Sequence, residues 1–194
     1  MKYIVVGMHS CGKYDVYNIL STENYKCGKL FTNNNYLDEL YNGDCYETYD
    51  DEDIQQIFEN NAYIFMQELD SNNANYFEGL SLYDFENNDV FILNPQQFNQ
   101  IPCVELKDEV CFIWMDNNKT NRMERFKESK LLYNFNEREK LESDDLNSFI
   151  SNIYNFPKSH LLYFYNEEPC RVASIIKAMI KYPDLITDFE KNFK

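Results

Sequence analysis

Arginine is nearly absent from this chain. Arg122, Arg125, Arg138 and Arg171 stand in 194 residues that carry 33 acidic side chains, and the formal net charge is −15. Such a surface repels nucleic acid and anionic membranes, so neither is expected as a partner, and it attracts basic proteins. Histidine is scarcer, with only His9 and His160. The six cysteines (Cys11, Cys27, Cys45, Cys103, Cys111 and Cys170) include no CxxC pair, which argues against a structural zinc site. They read as the reduced thiols of a cytoplasmic protein. No apolar run reaches the length of a membrane span, and no signal peptide opens the sequence. No internal repeat or linker divides it. What is abundant is aromatic, at 16% of residues, and that much apolar payload argues against disorder despite the charge. The length suits one domain with a real core and a small insertion.

The most informative stretch is Gly7-Met8-His9-Ser10-Cys11-Gly12-Lys13-Tyr14. Two glycines at this spacing, followed by lysine, form the frame of a phosphate-binding loop. An apolar run, Tyr3 to Val6, precedes it and reads as a buried strand; Tyr14 to Leu20 reads as a helix. Glycines let backbone N–H groups turn toward a phosphate, and the lysine reaches its outer oxygens. The next position normally supplies a hydroxyl to Mg²⁺. Here it is Tyr14, whose phenol is too long and too weakly basic for a compact octahedral ion. Gly7, Ser10, Cys11, Gly12, Lys13 and Tyr14 are therefore the candidate phosphate-binding residues, with ATP or another nucleotide as ligand and Mg²⁺ disfavoured. The bland alternative is a tight strand-to-helix turn that holds no ligand. Cys11 lies near a helix start, which lowers a thiol pKa, but no base partner accompanies it.

Apolar runs and polar stretches alternate along the rest of the chain, as in α/β proteins. Short strands are expected at Lys29–Thr32 and Ala62–Leu69, and buried parallel ones at Val90–Leu93 and Val110–Trp114. Leu161–Tyr165 reads as the last strand. Asp50 is placed to cap a helix over Asp51–Asn60, with acidic residues in its first turn. Further helices are expected at Ser81–Asn87, Asn118–Glu128, Asn136–Asn155 and Glu167–Tyr182, the last with Val172, Ile175, Ile176, Met179 and Ile180 as its core stripe. Asn33–Asn35 and Asn72–Asn75 read as loops, and Pro183 ends the last helix before a polar tail over 183–194.

This order of segments resembles guanylate kinase. The family opens with strand, phosphate loop and helix. Its Thr-Thr-Arg-x-Pro-Arg element is resembled by Phe31-Thr32-Asn33-Asn34-Asn35, and its Tyr-x-Phe segment by Tyr46-Glu47-Thr48-Tyr49. Its Asn-Tyr-Tyr-Gly is resembled by Asn75-Tyr76-Phe77-Glu78-Gly79. The resemblance implies a three-layer P-loop NTPase-like α/β fold, a parallel sheet flanked by helices. It implies a small inserted monophosphate-binding-like subdomain over 33–80 and a lid-like helical region over 117–157, within a single domain over 1–182. Tyr46, Tyr76 and Phe77 would be what is left of the acceptor site.

The departures fall on the chemistry. The two clamp arginines are replaced by asparagine, and a neutral amide cannot make arginine's charged bidentate fork. Phe65 stands where the family reads guanine with a glutamate, and Asn94-Pro95-Gln96 where it carries acidic residues. Only Arg125 and Arg138 are available to a lid, among Glu124, Glu128, Glu137 and Glu139. Phosphoryl transfer depends on positioned positive charge, and loss of one arginine finger costs about 10³–10⁵ in rate. The expected function is a non-catalytic guanylate-kinase-like protein that binds a basic partner. Its steering residues would be Asp50, Asp51, Glu52 and Asp53 in one patch, and Glu137, Glu139, Asp144 and Asp145 in another. Abundant asparagine, tyrosine, lysine and phenylalanine fit A/T-rich codons, as in many bacteriophage genomes. On that source, a DNA-binding host protein of transcription or replication is the expected target. The alternatives are a divergent nucleoside monophosphate kinase and a nucleotide-binding protein without turnover.

Overall fold

The computed structural model describes residues 1–35, 45–71, 74–102, 106, 109–128, 135–153 and 160–183. The strands are β1 (Lys2–Val6), β2 (Leu30–Thr32), β3 (Tyr46–Thr48), β4 (Tyr63–Ser71), β5 (Ala74–Ser81), β6 (Val90–Leu93), β7 (Val110–Asp116) and β8 (Leu161–Tyr165). The helices are α1 (Lys13–Thr22), α2 (Asp51–Glu59), α3 (Leu82–Asn87), α4 (Pro95–Asn99), α5 (Lys119–Glu128), α6 (Phe135–Ile153) and α7 (Pro169–Lys181).

Four parallel strands in the order β6-β1-β7-β8 make the central sheet. β6, β1 and β7 are almost wholly apolar and buried, because both of their faces are covered. On one face Phe112 and Trp114 of β7 meet Phe149 of α6 and Phe98 of α4; Phe98 lies edge-on to Phe112 and Phe149 at 4.9 and 4.8 Å between ring centroids. α1 and α7 pack together, burying Val16 and Leu20 on one and Val172 and Ile176 on the other. The result is the three-layer α/β architecture of P-loop NTPases, with a parallel sheet between helices.

A second sheet, ordered β3-β2-β5-β4, interrupts the chain between α1 and α3. β2 pairs parallel with β3 and antiparallel with β5, and β5 pairs antiparallel with β4. The sheet runs from Leu30 to Ser81, so it begins with β2, upstream of residue 33. β3, β5 and α4 are not expected from the sequence. Ala74 and Asn75, read above as loop, belong to β5, because residue-by-residue pairing with β4 overrides their weak strand preference. Asn72 and Asn73 lie outside the described residues, as does the tail from residue 184. α4 starts at a capping box, where Asn94 accepts from the Gln97 N–H while the Gln97 side chain accepts from the Asn94 N–H. Among the described residues no helix is long and apolar enough to cross a membrane.

Candidate functional site: the phosphate loop and its neighbours

The loop leaves β1 at Gly7, whose N–H donates to the Leu93 carbonyl at 3.3 Å. A Cβ at Gly7 would run into the Met115 carbonyl oxygen and the Cys11 sulfur, so only glycine lets the loop lie this close to β7. Ser10 and Gly12 both take positive φ, 57° and 102°, and turn the chain so that α1 begins at Lys13, one residue before the expected start. Lys13 is buried. Its ammonium donates to the Met8 carbonyl at 3.1 Å and lies 4.9 Å from the centre of the Tyr14 ring. The cation thus returns into its own loop and onto an aromatic face. Burial pushes the Cys11 thiol up. Lys13 and Arg122 pull it the other way, and Glu142 adds to the rise. The net rise reverses the effect expected of a helix start and keeps the thiol protonated at neutral pH.

Two helices after β7 close over this loop. His9 is buried, and its backbone N–H donates to Oε2 of Glu142 on α6 at 2.8 Å. The same oxygen lies 2.9 Å from His9 Nδ1. His9 Nε2 lies 4.0 Å from Glu139, and the rings of Phe126 and Phe135 meet the imidazole edge-on. Arg122 of α5 is buried and forks onto Glu139 at 2.6 and 2.7 Å, while its Nε donates to the Asn117 carbonyl. Burial pushes the Glu139 carboxyl up, but Arg122, His9 and Lys119 outweigh it and the net shift is downward. Arg125 lies over Gly12, with Asp15 at 3.4 Å and Glu168 at 3.9 Å. It reaches the loop as the resemblance implies, and arrives already paired. Arg138 lies in α6, and its side chain is outside the described residues. Sequence reasoning missed Arg122, His9 and Glu142. The available signal was Glu139 and Glu142 three residues apart on one helix face.

The second sheet holds the acceptor side. Asn33, Asn35, Thr48, Tyr49, Asp50, Asp51 and Asp53 line an open pocket of about 490 Å³. Asn33 is committed within the fold: its amide N–H donates to Asp51 at 2.7 Å and its oxygen accepts from the Phe77 N–H at 2.7 Å. Asp50 caps α2 by accepting from the Asp53 N–H at 2.8 Å. Glu52 and Asp53 are exposed. Tyr46 is buried, with its hydroxyl 3.4 Å from Glu78 and 3.1 Å from the Gln97 amide. Gln67 and Gln97 both donate to Glu78, which ties the second sheet to α4. Tyr76 shares the Glu78 face of β5, whereas strand alternation turns Phe77 to the other face. Tyr46, Tyr76 and Phe77 are therefore not brought together on one side.

The second acidic patch is divided as well. Glu139 faces Arg122, Asp144 is exposed and Asp145 is half-buried. Glu137 lies in α6, its side chain outside the described residues. No group of three or more metal-ligating side chains occurs among the described residues.

The parallel sheet and the loop between β1 and α1 define a P-loop NTPase-like fold. Among solved structures the chain is similar to the guanylate kinase from Anaplasma phagocytophilum, with a TM-score of 0.55 over 93% of this chain and 84% of that one, at 13% sequence identity. At that identity the likeness speaks for the fold alone, and the fold is guanylate-kinase-like. No protein-family model and no curated protein matches the sequence.

Proposed function

We propose that this chain does not transfer phosphate and acts by binding a basic partner protein through the acidic face around Asp50, Asp51, Glu52 and Asp53. The observation that carries this reading is the lining of the acceptor-side pocket. Three carboxylates and two amides stand where the resemblance places an arginine clamp. The sign of the Coulomb term decides: such a pocket repels a phosphate and attracts an ammonium or guanidinium group. The groups around the loop support it too. Lys13 is turned onto Met8, Arg122 is taken by Glu139, and Arg125 is paired with Asp15 and Glu168. A DNA-binding protein fits the partner chemistry, because its surface is built to attract phosphate. On a bacteriophage origin, that partner belongs to the transcription or replication machinery of the host. Glu137, Glu139, Asp144 and Asp145 take the lesser part in this reading, since Glu139 already neutralises Arg122.

The intact loop frame favours one second reading, nucleotide binding without turnover through Gly7, Ser10, Cys11, Gly12, Lys13 and Tyr14. Coupled assays with ATP, Mg²⁺ and each common ribo- and deoxyribonucleoside monophosphate separate these readings from a divergent kinase. Turnover should stay below about 10⁻³ of a typical enzyme kcat near 10 s⁻¹. A rate near 1 s⁻¹ on any monophosphate sinks the non-catalytic reading and makes the chain a kinase.

A further inference from the structure

We propose that Glu142 is an internal anion that occupies the phosphate loop, so that a nucleoside polyphosphate binds only when the amino-terminal half of α6 leaves it. The inference rests on the reading that the loop keeps its phosphate-binding frame, and it is independent of the partner. One carboxylate oxygen takes two groups of one loop residue: the His9 backbone N–H at 2.8 Å and His9 Nδ1 at 2.9 Å. These are the charge-assisted contacts that a phosphate oxygen makes with such a loop. The charge count agrees. Lys13 and Arg122 bring two positive charges to the loop, and Glu139 and Glu142 bring two negative ones. A polyphosphate entering there meets a site that already holds an anion, whereas removing Glu142 takes one negative charge away from it.

The contact is built to open. His9 Nε2 is buried without a hydrogen-bond partner and stands 4.0 Å from Glu139. A permanent staple would satisfy that atom. α6 is also divided along its length. Its carboxy-terminal half is anchored by the buried Phe149 and Ile153, while its amino-terminal half meets the loop through Phe135, Glu139 and Glu142. The ionic half can release without uncovering the sheet.

The test is ATP binding without magnesium, by calorimetry, for the wild type, Glu142→Ala and Glu142→Gln. Glu142→Ala should bind ATP at least about tenfold more tightly than the wild type, a gain of about 1.4 kcal/mol. Glu142→Gln, which keeps an acceptor oxygen but loses the charge, should fall between. Adding Lys13→Ala to Glu142→Ala should cancel the gain, and adenosine should show none. Folded variants that bind ATP no more tightly than the wild type overturn the proposal. If only Glu142→Gln folds, it decides alone; if neither folds, Glu142 is a fold-holding residue and the proposal fails. In the wild type, saturating ATP should speed hydrogen exchange in residues 139–146, and unchanged or slowed exchange there counts against competition. A silent loop in the variants leaves the non-catalytic reading standing. Monophosphate turnover by the wild type removes that reading and leaves the competition intact.

Discussion

Glycine does different work at the two ends of the phosphate loop. At Gly12 the backbone itself demands it: φ is 102°, where an L side chain meets its own carbonyl at a cost of about 1–2 kcal/mol. The atoms a Cβ would meet there belong to the ends of Arg125 and Pro169, and the guanidinium can swing away. At Gly7 the obstacle is the Met115 backbone carbonyl near the end of β7, which is paired with β8 and cannot move without disturbing the central sheet. Gly7→Ala should therefore lose more stability than Gly12→Ala, which should lose about 1–2 kcal/mol. Urea denaturation of both variants checks the order, and a Gly12 variant that is the weaker of the two contradicts the geometry. The glycine spacing was legible in the sequence because it is local. The environment of Cys11 was not, since Arg122 and Glu142 reach it from more than a hundred residues away, on α5 and α6; Lys13 turns back on its neighbours Met8 and Tyr14, a choice of direction that leaves no mark in the spacing.

The joint between α5, α6 and the loop is the element that sequence reading assembled least well. The helices themselves were legible, and so were the strands made of unbroken apolar runs, because burial on two faces leaves a plain mark. β5 left little: Ala-Asn-Tyr-Phe-Glu-Gly-Leu-Ser is neither an unbroken apolar run nor a clean alternation, and β4 and β2 pair with it on either side. α4 is only five residues long, below the window in which helical periodicity shows, and Asn94-Pro95-Gln96-Gln97 was read for missing acids rather than for its cap. The joint has a measurable signature in acid. The Glu139 carboxyl titrates below its ordinary value, so its contribution is complete above the unfolded-state pKa near 4.3 and is lost as pH falls through the lower folded-state value. Thermal melts of the wild type and Glu139→Gln should differ most at pH 6, with the wild type higher, and should converge toward pH 3. A gap that stays constant across that range means that the Arg122–Glu139 fork does not titrate with folding.

At the scale of the whole molecule, charge and fold point in different directions. The fold is similar to that of the guanylate kinase from Anaplasma phagocytophilum, while a formal charge of −15 opposes the approach of anionic ligands. The basic partner proposed above would carry a kinetic mark of that charge in its association. Steering acts before contact, over about a Debye length, so salt should slow association steeply and leave dissociation nearly unchanged. Asp50 and Asp51 are poor residues with which to test this, since one caps α2 and the other accepts from Asn33. Glu52 and Asp53 are exposed in the first turn, where a reversed charge disturbs the helix by only about 0.3–1 kcal/mol each. For a basic partner retained on the immobilised chain at low salt, Glu52→Lys with Asp53→Lys should lower the association rate about tenfold and flatten its salt dependence. Asp144→Lys, a single reversal at an exposed position of α6 on the other patch, should be nearly silent, because an interface of about 800 Å² per partner has room for only one of them. Surface plasmon resonance at several ionic strengths reads both rates. If the doubly reversed variant associates as fast as the wild type, the acidic face only solvates the protein, and the partner site lies on another surface.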